Sequence, residues 1–136
     1  MKYLLSIMIV LLLGCEDKTF TRIYDQKIIG EKIETIAISE SNQSIKTMAI
    51  TALKEEGFHV QAGASYVIEV EGSSYPKKCN NPNTSTYEAT YDGYVKLTLL
   101  KHMRRLYMCQ QDYHGEVNSA IIKRLLKKMK EELQLP

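Results

Sequence analysis

Alternation of apolar and polar positions divides residues 33–133 into seven elements. Ile33–Ser39 reads as a strand, and Ile36, Ala37 and Ile38 are apolar on both parities, as in a central strand partly covered on both faces. Ile45, Met48, Ala49, Ala52 and Leu53 recur at helical spacing, with Lys46, Lys54 and Glu55 outside the stripe. Ser41 or Asn42 supplies the N-cap of that helix, and Gly57 stops it. Phe58–Gln61 alternates as a short return strand, and Ala62-Gly63-Ala64 turns into Ser65–Gly72, where Tyr66, Ile68 and Val70 face opposite to Val67, Glu69 and Glu71. Residues 73–85 hold two prolines and three asparagines, which break any strand ladder and predict a loop. Thr86–Leu100 is expected as a long strand with its odd positions inward and Asp92-Gly93 as a bulge or a hairpin tip. A basic turn at 101–105 leads into an antiparallel partner, Leu106–Tyr113, whose pattern leans to Leu106 and Met108 inward over Tyr107 and Cys109. Val117–Leu133 is the second helix, with Ile121, Ile122, Leu125, Met129 and Leu133 as its stripe, Leu126 widening it, and Asn118 or Glu116 near its start.

This β-α-β-β-β-β-α order predicts the α+β class: a two-layer sandwich with a four- to five-stranded mixed sheet and two helices on one face. Residues 32–136 form the single domain. The sheet face away from the helices is expected to carry Glu, Thr, Lys and Tyr and to be open to a partner.

The N-terminal pattern is different in kind. Met1-Lys2 precedes an apolar run from Tyr3 to Leu13 broken only by Ser6, which is the charge, length and polarity of an export signal. The run falls short of the ~20 apolar residues that span a bilayer. It ends Leu11-Leu12-Leu13-Gly14-Cys15, which resembles the lipobox of bacterial lipoproteins, although Leu13 stands where that family more often has a small residue. The resemblance implies removal of residues 1–14, lipidation of Cys15 as the first mature residue and a membrane anchor. Residues 15–31 are then a tether, with a weak alternating patch at Phe20, Arg22 and Tyr24 able to pair as an extra strand. The eighteen steps from Cys15 to Ile33 span at most about 60 Å, so the domain either stands clear of the bilayer or folds back on it. Glu16 is not the Asp that in enteric lipoproteins tends to mark inner-membrane retention, which points to the outer membrane with the domain in the periplasm; Asp17 next door weakens that pointer.

Composition adds three facts. Apolar residues make up 44% and charged residues 25%, as in an ordinary globular chain. There are nine Tyr, two Phe and no Trp, a usage suited to half-buried strands whose hydroxyls stay wet. The net charge of +2 hides an acidic half up to Tyr75 and a basic half after it. An exported chain matures in an oxidising compartment, so Cys79 and Cys109, the pair left after Cys15, are expected to form a disulfide. His102 and His114 show no recognised metal-ligand spacing with them, and His59 reads as a solvent-facing strand residue.

The stretch Ala52-Leu53-Lys54-Glu55-Glu56-Gly57-Phe58-His59-Val60, followed by Ala64-Ser65-Tyr66-Val67-Ile68-Glu69-Val70, resembles small periplasmic lipoprotein domains. Domains of this kind are the N-terminal domain of TolB, the LpoB-type activators of peptidoglycan synthases, CsgG-like lipoproteins and, more loosely, LptE. Ser65 stands where Asp is frequent. The resemblance covers residues 45–70, implies architecture rather than a particular task, and transfers no catalytic residue.

No nucleophile elbow, zinc-protease helix, phosphate loop or paired carboxylates is present, so no catalytic residue, metal, cofactor or nucleic-acid partner is expected. Two roles remain. One is a lipid-anchored periplasmic adaptor that docks an envelope protein through its open sheet face or an exposed strand edge. The other is direct binding of anionic envelope lipid or glycan through Lys101, Arg104, Arg105, Lys123 and Lys127.

Overall fold

The computed structural model describes residues 19–39, 42–75 and 91–136. The signal, Cys15 and Cys79 lie outside these residues, as does the expected strand segment 86–90.

Six strands form one mixed sheet: β1 (Thr19–Ile23), β2 (Thr35–Ile38), β3 (His59–Val60), β4 (Tyr66–Ser74), β5 (Gly93–Lys101) and β6 (Arg104–Tyr113). Their spatial order is β1-β6-β5-β4-β2-β3. β2 runs parallel to β3 and β4, while β4, β5, β6 and β1 pair antiparallel. Helix α1 (Gln43–Glu55) is the crossover between parallel strands, and α2 (Ser119–Glu132) follows the meander. The expected α+β two-layer fold is therefore present, with a strand more than foreseen. The sixth is β1, the weak patch around Phe20, which is short and half polar because only one of its faces meets the helical layer.

Local chemistry accounts for the element ends. The Asn42 side chain accepts from Ser44 N at 2.9 Å and the Asn118 side chain from Ile121 N at 3.1 Å, each capping a helix start. Gly57 closes α1 with φ +92°, a conformation that costs a residue with a Cβ far more. The stripes seen in sequence become core: Ala49, Ala52 and Leu53 of α1 and Ile122, Leu125, Leu126 and Met129 of α2 pack on Ile68, Val70, Val95, Leu97 and Leu99.

Three expectations are corrected. Tyr107, Cys109, Gln111 and Tyr113 are the inward residues of β6, not Leu106 and Met108. The register slips between Leu99 and Leu100, so Leu99 faces Tyr107 while Leu100 faces Arg105. The extra residue is Leu106, which is buried along with Tyr107, and a period of two cannot reveal a bulge that buries neighbours. Asp92-Gly93 is neither bulge nor hairpin tip: Gly93 opens β5 between Ser74 and Tyr113, and a Cβ there would overlap Ser73 O and the Tyr113 hydroxyl. Finally, Cys109 is a free thiol, fully buried, with Sγ 3.6 Å from Leu125 O. The parity that corrects β6 turns this thiol into the core beneath α2, and Cys79, its expected partner, lies outside the described residues.

Candidate functional site

Two surfaces offer chemistry to a partner. The first is the sheet face opposite the helices, where no helix packs among the described residues. Its strands alternate, so this face receives Phe20 and Arg22 of β1, Met108 and Gln110 of β6, and Tyr94 and Lys96 of β5. Phe20 is 60% exposed, and the Arg22 guanidinium lies 5.0 Å from the centre of the Tyr24 ring. Across β4 and β5, Lys96 Nζ meets Glu71 Oε2 at 2.8 Å and Tyr94 Oη donates to Glu71 Oε1 at 3.2 Å. Tyr75 packs on Tyr94 with ring centres 5.9 Å apart and donates its hydroxyl to Asp112 at 2.6 Å. That hydrogen bond to a carboxylate pushes the Tyr75 phenol up to about 12. Lys96, as hydrogen-bond donor, holds the Glu71 carboxyl below its ordinary value. The face is thus a set of aromatic rings pinned by charge, wet at its rims and continuous from β4 to β1.

The second surface is the β5–β6 hairpin. Its loop is two residues, His102 and Met103, both with positive φ (49° and 64°). Two-residue hairpins need this geometry because its twist matches that of the strands, although Asn-Gly is the usual occupant. Met103 stands 93% exposed at the apex, flanked by Lys101, His102, Arg104 and Arg105. Lys101 leans back over the Tyr66 ring at 4.8 Å, while Arg104 and Arg105 are exposed.

The structure thus brings Lys101, Arg104 and Arg105 together and separates them from the two helix candidates. Lys123 pairs with Glu55 of α1 at 3.0 Å, and Lys127 is exposed on the helical layer. Neighbouring cations of α2 are also paired, Lys130 with Glu56 and Lys128 with Glu132, so the basic helix face is largely neutralised by α1 and by its own last turn. Sequence reasoning missed the Tyr75–Tyr94–Asp112 grouping; the high Tyr count was its one signal, since the pairing of residues 37 apart follows only from the meander. His59, His102 and His114 gather no ligands: no group of three or more His, Cys, Asp or Glu is placed to hold a metal among the described residues. No described helix is long and apolar enough to cross a membrane.

These features define a class: a small two-layer α+β domain with one sheet face left free of helices. No family model matches the chain, and no curated protein matches its sequence. Solved structures do resemble it. A PelC dodecamer from Paraburkholderia phytofirmans superposes with a TM-score of 0.50 at 14% identity, covering 88% of this chain and all of the other. A structure described as a minor lipoprotein from Acinetobacter baumannii gives 0.37 at 13% identity, covering 77% of this chain and 92% of that one. At such identity the first likeness concerns the fold and leaves function to the residues.

Proposed function

We propose that this chain is a lipid-anchored, non-catalytic accessory protein of the bacterial cell envelope that docks an envelope assembly or transport protein through its helix-free sheet face. The anchor is Cys15 in the Leu-x-Gly-Cys context, and the outer membrane, with the domain in the periplasm, is the location this reading favours. One observation carries the docking role: a sheet face on which Phe20 and Tyr24 are exposed while Lys96 is paired with Glu71. Aromatic side chains presented at low conformational cost are what protein interfaces are rich in. By contrast, an anionic lipid or glycan would find three cations at the hairpin and few unpaired ones on α2. The resemblance to TolB-, LpoB- and LptE-like domains adds architecture to this reading and names no partner.

Photo-crosslinking in cells tests it. A benzoylphenylalanine at Phe20 or Gln110 is expected to trap a discrete envelope protein, and the same probe at Lys127 to trap none. Crosslinks only from Lys127, or binding that collapses with salt after Arg104→Ala and Arg105→Ala, would favour the anionic-ligand reading instead.

A further inference from the structure

The pairing of β1 with β6 changes what the anchor allows. Thr19 is opposite Gln111, so the chain joins the sheet near its Tyr113–Gly93–Ser74 end. With residues 19–23 held in the sheet, four steps of chain lead from Cys15 to the fold rather than eighteen. At 3.3–3.6 Å per residue their reach is about 14 Å. The hairpin is at the opposite pole: Arg104 precedes Gln111 by seven positions on β6, which is ~23 Å along a strand. A domain inverted on its anchor, hairpin toward the bilayer, would hold Thr19 that far above the headgroups, beyond the tether's reach.

The end nearest the anchor is also where rings collect. Tyr91 stacks on exposed His114 with centres 4.5 Å apart, and Tyr75 is 40% exposed beside Tyr94. Phe20, 60% exposed, lies one residue beyond the joining point. Rings with an apolar body and a polar tip settle at the boundary between headgroups and acyl chains. Of the described acidic groups at this end, Asp112 accepts from Tyr75 Oη and Asp92 accepts from Gly115 N, while Glu116 is exposed.

We infer that the anchored domain rests on its own bilayer through the sheet end carrying Tyr75, Tyr91 and His114, with the Lys101–Arg105 hairpin as the pole farthest from that membrane. This rests on the lipid-anchor reading above and adds an orientation to it. The occupant of the aromatic end is the lipid interface itself, and because its described residues include no Lys or Arg, neutral lipid suffices. The hairpin cations then face away from the leaflet that holds the anchor.

The chain has no Trp, so a single introduced indole reports alone. The lipidated full chain carrying Tyr75→Trp, His114→Trp or Met103→Trp is reconstituted into neutral phosphatidylcholine vesicles with brominated acyl chains. Indoles at 75 and 114 are expected to shift to the blue and to be quenched, unchanged by salt, while that at 103 keeps its water-exposed emission. Far-UV circular dichroism of each variant checks the fold, and either of the first two suffices to read the aromatic end. Quenching at 103, or at none of the three, overturns the orientation. Intact mass of the same sample separates the two readings: a diacylglyceryl adduct on Cys15 with unquenched 75 and 114 sinks the orientation alone, and an unmodified Cys15 sinks both.

Discussion

Tyr107 donates its hydroxyl to Glu132 Oε2 at 2.6 Å, so a ring fully buried in β6 is tied to the last turn of α2. The other carboxylate oxygen, Oε1, accepts from Thr21 Oγ1 of β1 at 3.0 Å. One side chain thereby joins the edge strand, its neighbour and the helix that covers them. Burial is the first cause that raises the Tyr107 phenol, with the neighbouring thiol and Glu132 adding to it, so Tyr107 stays a neutral donor.

Glu132→Ala is expected to destabilise the domain by about 1–3 kcal/mol, the usual loss when a buried donor is left unpaired. Thr21→Val, which removes a less buried partner, should cost less. Urea unfolding measures both, and hydrogen exchange should show residues 19–23 opening first in the Glu132 variant.

Two glycines separate crowding from space. A Cβ at Gly93 meets Ser73 O and the Tyr113 hydroxyl, whereas a Cβ at Gly72 meets the flexible end of Ile45 at 2.8 Å. Gly93→Ala is therefore expected to lower the melting temperature well beyond Gly72→Ala, because backbone cannot step aside as a side-chain tip can.

The hairpin stores strain that can be removed. His102 and Met103 occupy left-handed backbone at φ 49° and 64°. His102→Asn with Met103→Gly supplies the residues this turn favours and should raise stability by roughly 1 kcal/mol. Thermal melts check it, and an unchanged melting temperature would contradict the turn geometry.

The Lys96–Glu71 pair sets a small pH dependence. The hydrogen bond from Lys96 keeps the Glu71 carboxyl below its ordinary 4.5, so its contribution is complete above that value and drains as pH falls through the lower folded one. Glu71→Gln should accordingly flatten the acid limb of the stability curve. Both side chains are partly exposed, so the effect is about a few tenths of a kcal/mol.

Cys109 gives a chemical test of the corrected β6 parity. Burial pushes its thiol up to about 12, with the Tyr107 hydrogen bond partly opposing. At neutral pH it should resist iodoacetamide in the folded protein and alkylate once urea unfolds it, without a reductant. Peptide mass mapping reads the modified site; a bridged Cys109 would stay unmodified in both states.

Helices and the central strands were legible because their periods are long and repeated: the α1 stripe at Ile45, Met48, Ala49, Ala52 and Leu53 and the Gly57 stop stand as read, and of the cap candidates named, Asn42 and Asn118 are the ones that cap. β6 was not, since one residue of bulge at Leu106 swaps the parity that a two-residue period measures. β1 was half legible: Phe20, Arg22 and Tyr24 alternate, but a five-residue edge strand gains its order from Gln111–Tyr107 across the ladder, not from its own pattern. For the surfaces, the run 101–105 announced its charge, and nothing local announced that Lys123 would be neutralised by Glu55.

Residue order alone thus determined the class of fold, the helix faces, the Gly57 stop and the lipobox-like Cys15, because each depends on spacing within a few turns of chain. Tertiary structure decided the rest. It set which face of β6 is buried, left Cys109 as a free thiol and gathered Tyr75, Tyr94 and Asp112. It also took residues 19–23 out of the tether. Each of these needs strands distant in sequence to lie about 4.8 Å apart, and that proximity exists only once the sheet has closed over its core.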